Sequence, residues 1–314
     1  MMYNYNRLFT LTLLLLTIAV RAQYTDQINS NRPGESQSPF AVGKSVIQVE
    51  AGCYGIQENH SIMGTEINGI GTDLNLRYGA IKEELEFNVK LQYQFDQYKT
   101  PFEVEKRNAM KQAVIGAKYL IYDPSKNYEE KKNVKSWKAK YKFKWRQFIP
   151  SVAAFAGVNV NVNNPYTFKS DPKISPKVML ITQNQFTGGM VLITNIIADK
   201  ITTEYPSYGY VLTLTKGFNE QWSGFVENQG YKSEFYSDAI LRGGAACLIG
   251  DDIQIDASIG TNFKETPSLF YGGVGISWRF DGDYSDVMLR IQKAKVKGKK
   301  DKKKKKKTVL PGKV

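Results

Sequence analysis

This chain of 314 residues has one histidine, two cysteines and, beyond Ala22, no apolar run long enough to cross a bilayer as a helix. Each scarcity excludes something. Cys53 and Cys247 lie far apart without metal-ligand spacing, so they provide neither a disulfide framework nor a zinc site. A Ser-His-acid arrangement would have to use His60, with Ser61 adjacent and Glu58 nearby. Adjacent residues on a strand point apart, and the loop expected around His60 gives no fixed orientation. No second histidine is present for a metal or an acid-base pair. The expectation is a protein that is not an enzyme and holds no metal or cofactor.

What the chain does have is alternation. In Glu84–Phe95, Leu85, Phe87, Val89, Leu91, Tyr93 and Phe95 fall on one face of a strand, and Glu86, Asn88, Lys90, Gln92 and Gln94 on the other. The pattern recurs over Ser45–Tyr54, Gly71–Gly79, Ala109–Tyr122, Phe148–Val162, Lys177–Phe186, Met190–Ala198, Gly209–Lys216, Trp222–Gly230, Ala239–Ile249, Ile253–Gly260 and Ser268–Phe280. The stretch from Lys177 to Lys216 alternates poorly. The large apolar residues of one face suit lipid, the charges of the other suit a wet interior, and the mean hydropathy of −0.39 is what their cancellation gives.

The first residues read as an export signal: Arg7, an apolar run from Leu8 to Val20, and a small-x-small site before Gln23. Together these features predict an all-β chain, a single transmembrane antiparallel barrel of about twelve strands in the outer membrane, with both termini periplasmic. Short links at 80–83, 187–189, 217–221 and 250–252 alternate with longer ones at Gln57–Ile70, Asp96–Asn108, Asn163–Pro176, Asp199–Tyr208, Tyr231–Asp238 and Thr261–Pro267, as expected for tight inner turns and larger outer loops. The resulting division is a signal over 1–22, a lead-in or plug-like segment over 23–43, a barrel over 44–282 with a basic insertion at 124–147, and a tail over 283–314.

Positive charge is concentrated in the insertion and in the tail, and the rest of the mature chain is acidic. A nucleic-acid binder would be basic throughout. The run Trp137–Arg146 interleaves bases with aromatics, a pattern that can track single-stranded nucleic acid. Behind an export signal it reads better as an extension of the fifth strand, with aromatics at the inner membrane surface, and a bulge near Pro150 would account for the shifted apolar parity after it. The tail lysines Lys299, Lys300, Lys302, Lys303, Lys304, Lys305, Lys306 and Lys307 read either as a disordered, solvated run or as a tether for an anionic periplasmic partner such as peptidoglycan or an acidic protein.

Three stretches resemble the outer-membrane transporter family named for the MetA pathway of phenol degradation. They are Asn31–Phe40 followed by Val46–Gly52; Leu76–Gly79 with Glu84–Glu86 and Gly116–Tyr119; and Asp252–Gly260 with Gly273–Phe280. Asn31 replaces the family's usual acidic residue before Arg-Pro, and the insertion and lysine tail are additional. The resemblance implies an outer-membrane barrel that passes small, including aromatic, compounds.

If apolar residues face lipid, the inward set includes Gln48, Glu50, Asp73, Asn75, Arg77, Glu84, Glu86, Lys90, Gln92, Lys118, Gln254, Asp256 and Arg279. One reading is a ladder of ion pairs that fills and rigidifies the barrel. The other is a polar track for a solute, with the lead-in as its plug. Two competing classes accompany the channel: a non-conducting envelope scaffold acting through the lysine tail, and a soluble secreted β-sandwich.

Overall fold

The computed structural model describes residues 28–126, 145–161, 164–167, 171–234 and 236–280. Its strands are β1 (Ile47–His60), β2 (Thr65–Gly79), β3 (Leu85–Lys99), β4 (Val104–Tyr122), β5 (Ser151–Val160), β6 (Ile174–Phe186), β7 (Met190–Asp199), β8 (Ser207–Gly217), β9 (Trp222–Lys232), β10 (Ser237–Ile249), β11 (Ile253–Asn262) and β12 (Ser268–Phe280). Each pairs with its neighbours in sequence, and β12 pairs antiparallel with β1 to close a twelve-stranded barrel. Closure removes every sheet edge, which a strand-built membrane protein requires because lipid offers no hydrogen bonds.

Burial is inverted relative to a soluble protein. Ile70 is 67% exposed, Ile259 63% and Val274 61%, whereas Arg77, Glu86 and Lys118 are fully buried. A soluble sandwich would bury the apolar faces against a second sheet. Here they form the outer wall, so that alternative is overturned and the barrel is of the outer-membrane type. Exposed aromatics collect toward both ends: Tyr78, Phe87, Trp222 and Trp278 toward one, Phe95, Tyr208 and Phe270 toward the other. This is the distribution of interfacial girdles.

Several boundaries differ from the alternation, each for a physical reason. β1 and β2 run on to a turn at 61–64, and β3 and β4 to a turn at 100–103, where longer loops were expected. Beyond the hydrocarbon both faces are wet, so alternation disappears from the sequence while backbone pairing continues. His60 is accordingly the last residue of β1. The fifth strand begins at Ser151, not Phe148, and Trp145–Phe148 form a 3-10 turn, so the aromatic-basic run does not extend the strand through these residues. Pro150 precedes the strand, and no bulge is needed there; the local register shift falls on β4, between Leu120 and Tyr122.

The poor alternation of the middle strands has a structural cause. On their lumen side, Val114, Leu120, Ala153, Phe155, Met179 and Ile181 form an apolar cluster, with Phe40 and Ile197 packed against it. Strands apolar on both faces carry no period-two signal. The buried charges are on β1–β4, β9–β12 and their adjoining links, while β5–β8 add neutral polar residues such as Gln183, Asn195 and Thr213.

Candidate functional site

The residues before β1 turn into the barrel. Gly43 has φ 102° and Ser45 φ 62°, and this left-handed bend directs residues 28–42 into the lumen. Ile28, Ser36, Ser38 and Val42 are buried there. The segment has no strand of its own, so its peptide groups need partners from the wall.

Arg77 organises the first group of partners. Its Nε and Nη2 each donate to Glu86 at 2.9 Å, a two-point fork, while Nη1 donates to Glu50 at 3.0 Å and to the Asn29 carbonyl at 2.6 Å. Lys118 lies 3.1 Å from Glu86 and donates to the carbonyls of Ser38 at 2.8 Å and Phe40 at 3.0 Å. The carboxylates in turn accept from the lead-in: Asn31 N–H reaches Glu50 at 3.1 Å and Val42 N–H reaches Glu86 at 3.0 Å. Gln48 donates to Glu50 at 2.7 Å and to Asn29 O at 3.2 Å, and Asn75 donates to Glu50 at 2.8 Å. Two cations and two anions thus meet fully paired, the condition under which buried ions are tolerated.

Arg32 forms the second group. It pairs with Asp73 and reaches Asp256 through Nη2 at 3.2 Å and Nε at 3.3 Å, while Gln254 donates to its carbonyl at 3.1 Å. Across the barrel, Glu227 accepts the N–H groups of Glu35 and Ser36 at 3.0 to 3.2 Å, together with the Thr213 hydroxyl at 2.7 Å, and pairs with Arg242. Glu35 pairs with Lys90. Gln37 and Asn195 exchange hydrogen bonds, backbone N–H to Oδ1 at 2.6 Å and Nδ2 to O at 2.9 Å, and Ser38 donates to Gln183 at 3.0 Å.

The structure therefore brings ten of the anticipated lumen residues to the lead-in or its immediate supports. Gln92 instead lines the open lumen, a vestibule of ≈ 550 Å³ bounded by the lead-in, Tyr54, Tyr166, Tyr231 and Tyr271. Arg279 is buried on β12 beside the lead-in's end of the barrel, its N–H donating to Asp252 O at 2.9 Å. Glu84 is buried at the same end, paired with Lys126 at 3.2 Å. Glu227, Arg242, Asn195 and Gln183 were not anticipated. Inward Phe225 beside Glu227 and inward Ile240 beside Arg242 obscure the alternation that would have marked them.

His60 forms no triad. Its Nδ1 accepts from Met63 N–H at 3.3 Å, and the Ser61 hydroxyl pairs with Thr266 at 2.6 Å. Cys53 lies on the outer wall. Lys299–Lys307 and most of the basic insertion lie outside the described residues.

A sequence model of the family described by "MetA-pathway of phenol degradation" matches residues 30–280. The chain belongs to that family. The match takes in the lead-in from Ser30 as well as all the strands of the described residues. No curated protein matches the chain in sequence. Among solved structures it is similar to an outer membrane channel from Pseudomonas putida F1, with 9% identity, TM-score 0.50, and 80% of this chain and 100% of that chain covered. It is also similar to the translocator domain of the autotransporter NalP from Neisseria meningitidis, with 10% identity, TM-score 0.46 and coverage of 74% and 88%. A third similar structure is the CymD monoaromatic hydrocarbon channel, with 8% identity, TM-score 0.42 and coverage of 76% and 90%. At these identities the likeness is one of fold.

Proposed function

We propose that the protein is a passive outer-membrane channel for small, weakly polar compounds, aromatic ones included, with both termini periplasmic and the lead-in as a removable plug. The observation that carries this reading is how the plug is held. Among the described residues, every hydrogen bond from residues 29–42 to the wall runs through at least one side chain, and no main-chain ladder joins them. A segment hydrogen-bonded into the sheet could leave only by breaking the wall itself. One held by side-chain clamps can leave while the wall stays closed on itself.

The solute class follows from the lumen's two-sided character. Ion pairs line β1–β4 and β9–β12, while Phe155, Met179 and Ile181 present an apolar inner wall on β5 and β6. The family's name, which refers to phenol degradation, agrees with such a solute. Passage needs no cofactor, only the inward polar set (Asp73, Lys90, Gln92, Asp256) and a movable constriction.

The test is conductance in planar bilayers and solute uptake by liposomes, comparing the intact chain with one lacking residues 28–43. The intact protein should be mostly closed and the deletion open. If neither form conducts or passes solute although both are folded, the channel reading fails.

A further inference from the structure

Ten charged side chains line the vestibule, and eight of them are matched by an opposite charge. Arg32 pairs with Asp73, Lys90 with Glu35, Glu50 with Arg77, Arg242 with Glu227, Lys200 with Asp171 and Asp199 with Lys177. Two are left over, one of each sign: Glu58 of β1 and Lys111 of β4. Among the described residues, Glu58 has neither a hydrogen bond nor an ion pair, and Lys111 has no carboxylate partner.

Lys111 owes its place to a bulge. Gln92 pairs with Gln112 and Tyr93 with Met110, so Lys111 is the extra residue of β4 at that step. Lys111 and its neighbour Gln112 both line the vestibule, where regular alternation would have sent one of them to lipid. The Lys111 Nζ donates to Gln94 Oε1 at 3.0 Å, an oxygen that also accepts the Tyr54 hydroxyl at 3.0 Å. An ammonium has three N–H donors, so two remain open. Of the charged neighbours acting on Glu58 and on Lys111, the strongest in each case is the other. They form no ion pair, so a space separates two complementary charges.

We infer that the vestibule is a binding site for a small zwitterion, a molecule carrying one ammonium and one carboxylate group as free amino acids do. The ammonium faces Glu58, and Tyr231, which lines the vestibule beside it, offers its ring to the cation. The carboxylate faces Lys111 and accepts its open N–H groups. Such a molecule completes both charges at once, whereas a singly charged one completes one and leaves the other as it was. Space is sufficient: the vestibule's ≈ 550 Å³ lies within the range of roughly 300–1,000 Å³ common to small-molecule sites. The inference goes beyond the channel reading, whose weakly polar solutes need no pair of opposite charges. It does not depend on that reading, because binding is measurable without flux.

The experiment is equilibrium binding to the full-length barrel in detergent, for the native chain and for Glu58→Gln and Lys111→Met. The probes are two zwitterions of short and long charge separation, free alanine and 4-aminobutyrate, with propylamine and propionate as singly charged controls. At least one zwitterion should bind about tenfold or more tightly than either control, and which one does so reads the width of the gap. Each substitution should weaken that zwitterion by about tenfold, the loss of one charged hydrogen bond. Glu58→Gln should leave propionate within about twofold, and Lys111→Met should do the same for propylamine. Glu58→Gln preserves the size of the side chain, so it keeps the test alive if Lys111→Met does not fold. Zwitterions that bind no better than the controls, or equally well to the folded variants, identify Glu58 and Lys111 as a pair separated by solvent only and overturn the inference. Neither result bears on conductance, which tests the channel by itself.

Discussion

Gly52 and Gly275 face each other across the β1–β12 pairing, and the guanidinium of Arg32 occupies the space where their side chains would stand. In register, Asp73 flanks Gly52 on β2 and Asp256 flanks Gly275 on β11. Four strands thus align Asp, Gly, Gly and Asp in one row, with a single cation lying over the gap and reaching both carboxylates. Gly275→Leu should displace Arg32 and open the lumen without unfolding the barrel. Higher open probability in bilayers, with normal heat-modifiable migration on gels, is the expected result; a closed channel would show that Arg32 is not a latch.

Arg77, besides holding the Asn29 carbonyl, bears on stability. Replacing it with Met leaves Glu50 and Glu86 sharing only Lys118, with net negative charge in a closed interior. Removal of one partner from a buried ionic cluster costs about 3–5 kcal/mol. Urea unfolding from lipid vesicles should show a loss of that order. Arg77→Lys should also be destabilising, because an ammonium cannot fork onto two carboxylates.

Glu35 couples the plug to acid. Burial alone would raise its carboxyl, but Lys90 and Arg242 more than offset this and hold it at about 2. An acid with a bound-state value below its free value stabilises the bound state when ionised. That contribution is complete above pH ~4.5 and is lost as the pH falls toward about 2. Proteolytic accessibility of residues 28–42 should therefore rise across this interval in the native chain. Glu35→Gln should lack this component, and identical pH profiles for the two would refute the coupling.

The lysine tail should bind anionic surfaces. Twelve lysines from Lys293 to Lys313, each contributing at most about 1 kcal/mol near such a surface, predict adsorption to anionic vesicles that is lost in high salt. Changing Lys302–Lys307 to Gln should abolish most of it. Adsorption insensitive to salt would point to some other contact.

The parts of this molecule legible in its sequence are those where one face meets hydrocarbon and the other meets charge. β3 is the clear case: Phe87, Val89 and Phe95 outward, Glu86, Lys90 and Gln94 inward. Legibility fails wherever the two environments become alike. Gln57–His60 are wet on both faces, and Met179, Ile181 and Val211 face an apolar lumen while their neighbours face lipid. Glu227 was hidden for the same reason, although it clamps two consecutive amides of the plug. The lead-in's turn residues suggested an irregular segment, but which wall residues receive it depends on the register of strands distant in sequence.

The wall mostly grips peptide groups. Lys118 holds two carbonyls, Glu227 two amides, Asn195 one of each and Glu86 one amide. Such handholds ignore what the residue carries beyond its Cα. The stopper's text is consequently free to drift across relatives wherever the wall leaves room for the new side chain, whereas Arg32 and Glu35, read by their own side chains, are spellings that only a matching change in the wall would permit.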